Sequence, residues 1–202
     1  MKERNLRILL IFLLLISVLI NISYYMEDKH AVSQKRWHSE QDLEFIALVG
    51  NNLANHLENF LNYSIEAVTD QDIESNEERH LLQTDMWRVA HGESNNISYY
   101  LARLSPHLMK DLRPKWSLLI HSLHRVNGIL SGLNTDFLAQ RSYDISDEKA
   151  EQLDAIIMVY RKLYETVESG APYPVLVIDE LTEQMMIIDQ NYAEIVERVE
   201  PK

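Results

Sequence analysis

Seven apolar residues, Trp116, Leu119, Leu123, Val126, Leu130, Leu133 and Phe137, follow one another at steps of three, four, three, four, three and four. A helix turns once in 3.6 residues, so this spacing draws a single apolar seam down one side of a helix and demands a neighbour to cover it. The same steps recur in Ile178, Leu181, Met185, Ile188, Tyr192, Ile195 and Val199. A shorter version runs through Leu153, Ile156, Tyr160, Leu163 and Val167. Looser ones run through Leu43, Ile46, Val49, Leu53, Leu57, Phe60 and Leu61, and through Leu81, Leu82, Met86, Val89 and Ala90. Each stripe has only another helix to bury itself against. The expected fold is therefore all-α: an antiparallel bundle of four to five helices.

Breakers and caps punctuate the pattern. Gly and Pro number only five each, which leaves room for long helices. Ser39 with Asp42, and Ser75 with Glu78, resemble capping boxes that open helices. Ser105-Pro106 and Ser146, the latter followed by Asp147 and Glu148, read as further starts. The polar stretch Gly92–Asn96 predicts a break in the second helix, and Gly50 is a weak point in the first. Gly170-Ala-Pro-Tyr-Pro174 ends a helix and marks a linker. Val175–Ile178 finds no second β-branched run to pair with, so it is read as the start of one final helix. That final seam faces either the bundle, or a second copy of the chain or a partner outside it.

One stretch departs from amphipathic spacing. From Ile8 to Tyr25 the chain is apolar apart from Ser17, Asn21 and Ser23, close to the ~20 residues that a membrane-spanning helix needs. Lys2, Arg4 and Arg7 precede it and Glu27-Asp28 follow, which predicts the N-terminus inside and the body outside. Arg7 suits the inner interface, where its stem lies along apolar surface; Tyr24 and Tyr25 suit the outer headgroup zone. A cleaved signal ends in small residues, whereas this run ends in Asn-Ile-Ser-Tyr-Tyr-Met. The expectation is an uncleaved signal anchor over 8–25, a cytoplasmic tail over 1–7, a polar stalk over 26–38 and an extracytoplasmic bundle over 39–202.

Charge and composition narrow the function. The chain carries 19 basic and 31 acidic residues, net −12, and an acidic body repels nucleic acid and anionic lipid. The absence of cysteine removes disulfides, thiolate nucleophiles and Cys-ligated zinc. Together with the size and the leader, it points to a bacterial cell surface. The sequons Asn62-Tyr-Ser64 and Asn96-Ile-Ser98 bear on the matter only in a eukaryotic host.

Chemistry-bearing motifs are sparse. His121-Ser-Leu-His124 puts two imidazoles one turn apart, and Glu77-Glu-Arg-His80 supplies one Glu-x-x-His element where a di-iron bundle needs two. No Gly-x-Ser-x-Gly elbow and no Gly-rich phosphate loop occurs. No catalytic, metal or cofactor site is expected, and the protein is read as a non-enzyme. The expected function is a membrane-anchored protein that binds another envelope protein or itself, in an accessory or regulatory role. Tyr173, a rigid aromatic between two prolines, is the candidate contact loop. The alternative is a sensor-type domain holding a small molecule, lipid or peptide near Trp116, Tyr160 and Tyr192.

Overall fold

The computed structural model describes residues 2–69, 76–104, 113–140, 143–171 and 177–199, with side chains described from 14 onward save 28, 65–69, 76–77 and 113. Among these residues the fold is all-helical, in six helices: α1 (Lys2–Thr69), α2 (Asn76–Leu101), α3 (Arg113–Gln140), α4 (Asp147–Glu168), α5 (Ile178–Ile188) and α6 (Tyr192–Val199). The chain divides into two units, Met1–His38 and Ser39–Lys202. α1 contributes to both.

In the first unit, residues 14 to 27 are exposed along the whole helical stretch, including Leu14, Leu19, Ile20 and Ile22. Apolar side chains point to every side of this helix, so no face of it is set aside for a protein neighbour. The polar stretch 26–38 is helical as well. Among the described residues no helix is long and apolar enough to cross a membrane. The side chains of Ile8–Leu13, the first third of the apolar run, lie outside that set.

The second unit is a bundle whose core the seams supply. Leu119, Leu123, Val126, Leu130, Leu133 and Phe137 of α3 are all buried, as are Leu153, Ile156, Tyr160 and Leu163 of α4. α1 and α2 run antiparallel. Phe45 stacks on Tyr100 at one end, and at the other Gln83 donates to Ser64 Oγ at 3.2 Å while Phe60 meets Trp87. α2 and α3 are antiparallel too, since Trp87 reaches Asn134 and Ser94 reaches Asn127. α5 then runs alongside α3 in the same direction, with Lys115 bound to Asp179 and Arg125 to Asp189. It also packs on α4.

Four expectations need correction. Ser39 and Asp42 do not open a helix, because α1 passes straight through them. Both are buried in mid-helix, and Asp42 pairs with Arg103 instead. α2 does not break at Gly92–Asn96. Within the stretch Ser94 turns inward to Asn127 of α3, which Ser98 also meets one turn on, while Asn95 and Asn96 bond to His91 and Glu93 of α2 itself. The final seam is two helices, not one. Asp189 leaves helical geometry at φ −137°, ψ 105°, and its carboxylate accepts from the Asn191 N–H at 3.1 Å, an Asx turn that restarts the chain as α6. Among the described residues the chain therefore has six helices rather than four or five, and most of the final seam is buried: Ile178, Leu181, Met185, Ile188 and Tyr192 are 3% exposed or less, while Ile195 and Val199 are half-buried.

Two local readings agree with the structure. Ser146 caps α4, accepting from the Lys149 N–H, and Gly170 terminates α4 in the left-handed region at φ 68°. Gly50 proves to be a contact point. A Cβ there would lie 2.2 Å from Tyr160 Cδ1, so its lack of a side chain lets α1 approach α4.

Candidate interaction surfaces and a buried polar node

Three features of the structure lie outside ordinary core packing. The first is the exposed apolar helix of the N-terminal unit. Tyr24 and Tyr25 are 68% and 62% exposed, and the Lys29 ammonium sits 4.9 Å from the centre of the Tyr25 ring. Arg7 lies in α1, with its side chain outside the described residues, as does the whole of Tyr173.

The second is a groove of about 490 Å³ between α1 and α2. Asn59 and Tyr63 form one wall, Met86 and Val89 the other, with His56 and Asp85 at the edges. The heptad-like register explains its position. Residues 45, 52, 56, 59 and 63 fall on one face of α1, and 82, 86, 89, 93 and 100 on one face of α2. Phe45 and Tyr100 close the line of contact at one end with ring centres 4.0 Å apart. Apolar groups remain uncovered beside it: Leu48, Leu81, Leu82 and Val89 are 40–63% exposed. The sequence had marked 81, 82, 86 and 89 as one helical stripe; it did not separate the part that enters the core from the part left open.

The third is a polar node where α3 meets the joint between α5 and α6. Asp189 is 5% exposed and accepts from Arg125 Nε at 2.7 Å. Tyr192 OH lies 2.9 Å from Ser122 Oγ, and both residues are fully buried. Ser122 Oγ also donates to the Leu118 carbonyl at 2.8 Å, so its proton serves the helix and no substrate can reach it. His121 faces this node, and its buried Nε2 has no hydrogen-bond partner. Burial pushes its pKa below the ordinary value; Asp189 opposes that shift, and Arg125 and His124 reinforce it. His124 itself is exposed, so the two imidazoles of His121-Ser-Leu-His124 do not converge on one point inside the bundle. Among the described residues no group of three His, Asp or Glu is placed to hold a metal ion.

The aromatic residues weighed for ligand binding are core. Trp116, Tyr160 and Tyr192 are at most 1% exposed, and the Tyr160 ring fills the space beside Gly50. Burial alone pushes the Tyr160 phenol far above its ordinary range, since its OH finds no partner. Trp87 is core as well: it donates from Nε1 to Asn134 and packs edge-on against Phe137 at 4.8 Å. Compared with known protein families, curated proteins and solved structures, the chain finds no match.

Proposed function

We propose that this chain is a membrane-anchored helical protein whose acidic bundle lies outside the membrane and acts by contact with another protein of the cell envelope. The carrying observation is the contrast in burial between its units. The bundle sequesters its seams, whereas Leu14–Met26 exposes a run of large apolar side chains on all sides of a helix. A soluble protein seldom presents such a surface to water, and a lipid bilayer is the solvent that suits it. The basic residues Lys2, Arg4 and Arg7 before the run and the acidic pair after it support an N-terminus inside and a bundle outside.

The bundle reading rests on what its surface offers. Interior polar side chains such as Ser122 and Tyr192, or Ser94 and Asn127, hold helices together, and uncovered apolar groups lie along α1 and α2. That is the chemistry of a contact surface rather than of a reaction centre. The test is photocrosslinking in intact cells, with a crosslinkable residue placed in turn over every exposed face of the bundle. Discrete adducts with an envelope protein are expected. Monomer alone from every position removes the contact reading, and release of the chain from membranes by alkaline carbonate removes the anchor.

A further inference from the structure

The bundle already contains one helix laid in a groove. α5 lies against α3 and α4, with Ile178, Leu181, Met185 and Ile188 buried. Its margins are matched by charge. Lys115 and Arg125 of α3 hold Asp179 and Asp189, and Lys162 of α4 holds Glu180 at 2.8 Å, a bond that raises the Lys162 pKa. A basic rim thus receives an acidic helix.

The pair α1 and α2 has a groove of its own, where Met86 and Val89 lie among His56, Asn59, Asn62, Tyr63 and Asp85, and none of the described helices covers it. Its charge is reversed. From Ser39 to Thr69 the chain contains no Lys or Arg at all. Residues 39–101 carry 12 acidic and 2 basic side chains, whereas residues 102–202 carry 16 acidic and 11 basic. Three of those 12, Asp70, Asp72 and Glu74, precede α2; the two helices themselves carry 9 acidic and 2 basic side chains, net −7 of the −15 over residues 39–202. The groove runs along α1 from His56 to Tyr63, about two turns of a helix at 1.5 Å per residue, which an amphipathic helix can span with its central turns.

We infer that the α1–α2 groove is the seat of a basic amphipathic helix from a partner protein. This deepens the contact reading above and rests on it. Met86 and Val89 supply an apolar wall, to be met by aliphatic side chains at i, i+3, i+4 and i+7. The carboxylates of α1 and α2 supply long-range attraction for Lys and Arg on the partner's outer face. Charge also argues against a second copy of this chain as the occupant. Its α5 is acidic, with Asp179, Glu180 and Glu183, and its α1–α2 pair is more so.

The experiment uses the full chain in nonionic detergent micelles. The probe is a synthetic 18-residue helical peptide with leucines along one stripe, lysines elsewhere and a photocrosslinker on the stripe. Crosslinks on Asn59, Met86 and Val89 are expected, with affinity that falls as salt rises. The same peptide with glutamate for lysine should not bind. Val89→Arg, a change at a half-exposed position that the fold tolerates, should weaken binding about tenfold or more. Asn59→Arg, on the other wall, should act in the same direction. Met158→Arg, on an exposed part of α4, should leave it unchanged. Crosslinks confined to other faces, equal binding of the glutamate peptide, or unaltered binding by both groove variants overturns the proposal, as does groove-mediated dimerisation in sedimentation. Cellular crosslinks to a neighbour from other faces only would remove the groove and leave the contact reading standing. No cellular crosslink from any face would remove both.

Discussion

The two helix pairs of the bundle each present a groove and meet different fates. α3 and α4 offer an apolar groove that the chain fills with its own C-terminal helices; α1 and α2 offer a more polar one that the described residues leave open. The filled groove buries Leu181 and Met185 to 1% and 0% exposure, whereas in the open one Leu82 and Val89 remain 40% and 44% exposed. The filled side also carries its own electrostatic clasp, Lys115, Arg125 and Lys162 against Asp179, Asp189 and Glu180. The lesson is that apolar spacing makes a helix need a neighbour, and rim charge selects which neighbour it takes. An acidic pair cannot recruit the chain's own acidic α5.

That comparison can be broken at several points. Leu181→Ala, under α5, should cost about 2–5 kcal/mol, the usual range for a buried leucine truncated in a core. Leu82→Ala on the open face should cost well under ~1 kcal/mol. Denaturant midpoints at unchanged slope would measure both; equal losses would mean that the two faces are covered alike. Gly50→Ala should destabilise by about 1–3 kcal/mol, because the new methyl group meets a buried Tyr160 ring. Pairing it with Tyr160→Leu should recover part of that loss. Simple addition of the two effects would show that the α1–α4 approach is not the cause.

Arg125→Met strands the buried carboxylate of Asp189 and should cost about 1–3 kcal/mol. Amide exchange should quicken in α6 before α1, since Asp189 forms the joint between α5 and α6; uniform quickening would count against a local clasp. A smaller effect is expected from His121. Its folded pKa lies below the ordinary 6.5, so the unfolded chain holds more protons as pH falls. Its contribution is fully present above about pH 6.5 and is lost as pH drops from there through the depressed folded value. His121→Leu should flatten that part of the stability–pH curve relative to the parent. Identical slopes would show that the imidazole does not sense the node. Smallest of all, Val89→Ser should shift stability by no more than ~0.5 kcal/mol.

Much of the bundle was legible because helical periodicity is a local property. The α3 and α4 seams named the buried residues correctly, as did Ser146 and Gly170 for the ends of α4. The failures share one cause. Ser39-x-x-Asp42 and Gly92–Asn96 carry local signals for a cap and a break, yet each holds a polar group whose partner lies far along the chain. Asp42 finds Arg103, and Ser94 and Ser98 find Asn127. The opposite error occurred at Asp189. The break there keeps the three-four spacing of the seam, so periodicity ran through it unseen. Asp189-Gln-Asn191, with two turn formers, was the available signal.

The candidate surfaces divide the same way. The apolar leader Ile8–Tyr25, the flanking Arg7, Tyr24 and Tyr25, and the acidic excess of α1 and α2 can be read from the sequence, because composition and charge do not depend on what the chain packs against. Tyr173 lies outside the described residues. By itself the sequence determined that the protein is helical, that each helix has an apolar stripe, and where its charge lies. Only the tertiary structure decided which stripe is covered, that Gly50 is a contact rather than a flaw, and that His121 looks onto Asp189 across 68 residues of chain. The physical reason is range. A stripe is set by neighbours three and four residues away, whereas its burial depends on a surface supplied from a distant part of the chain.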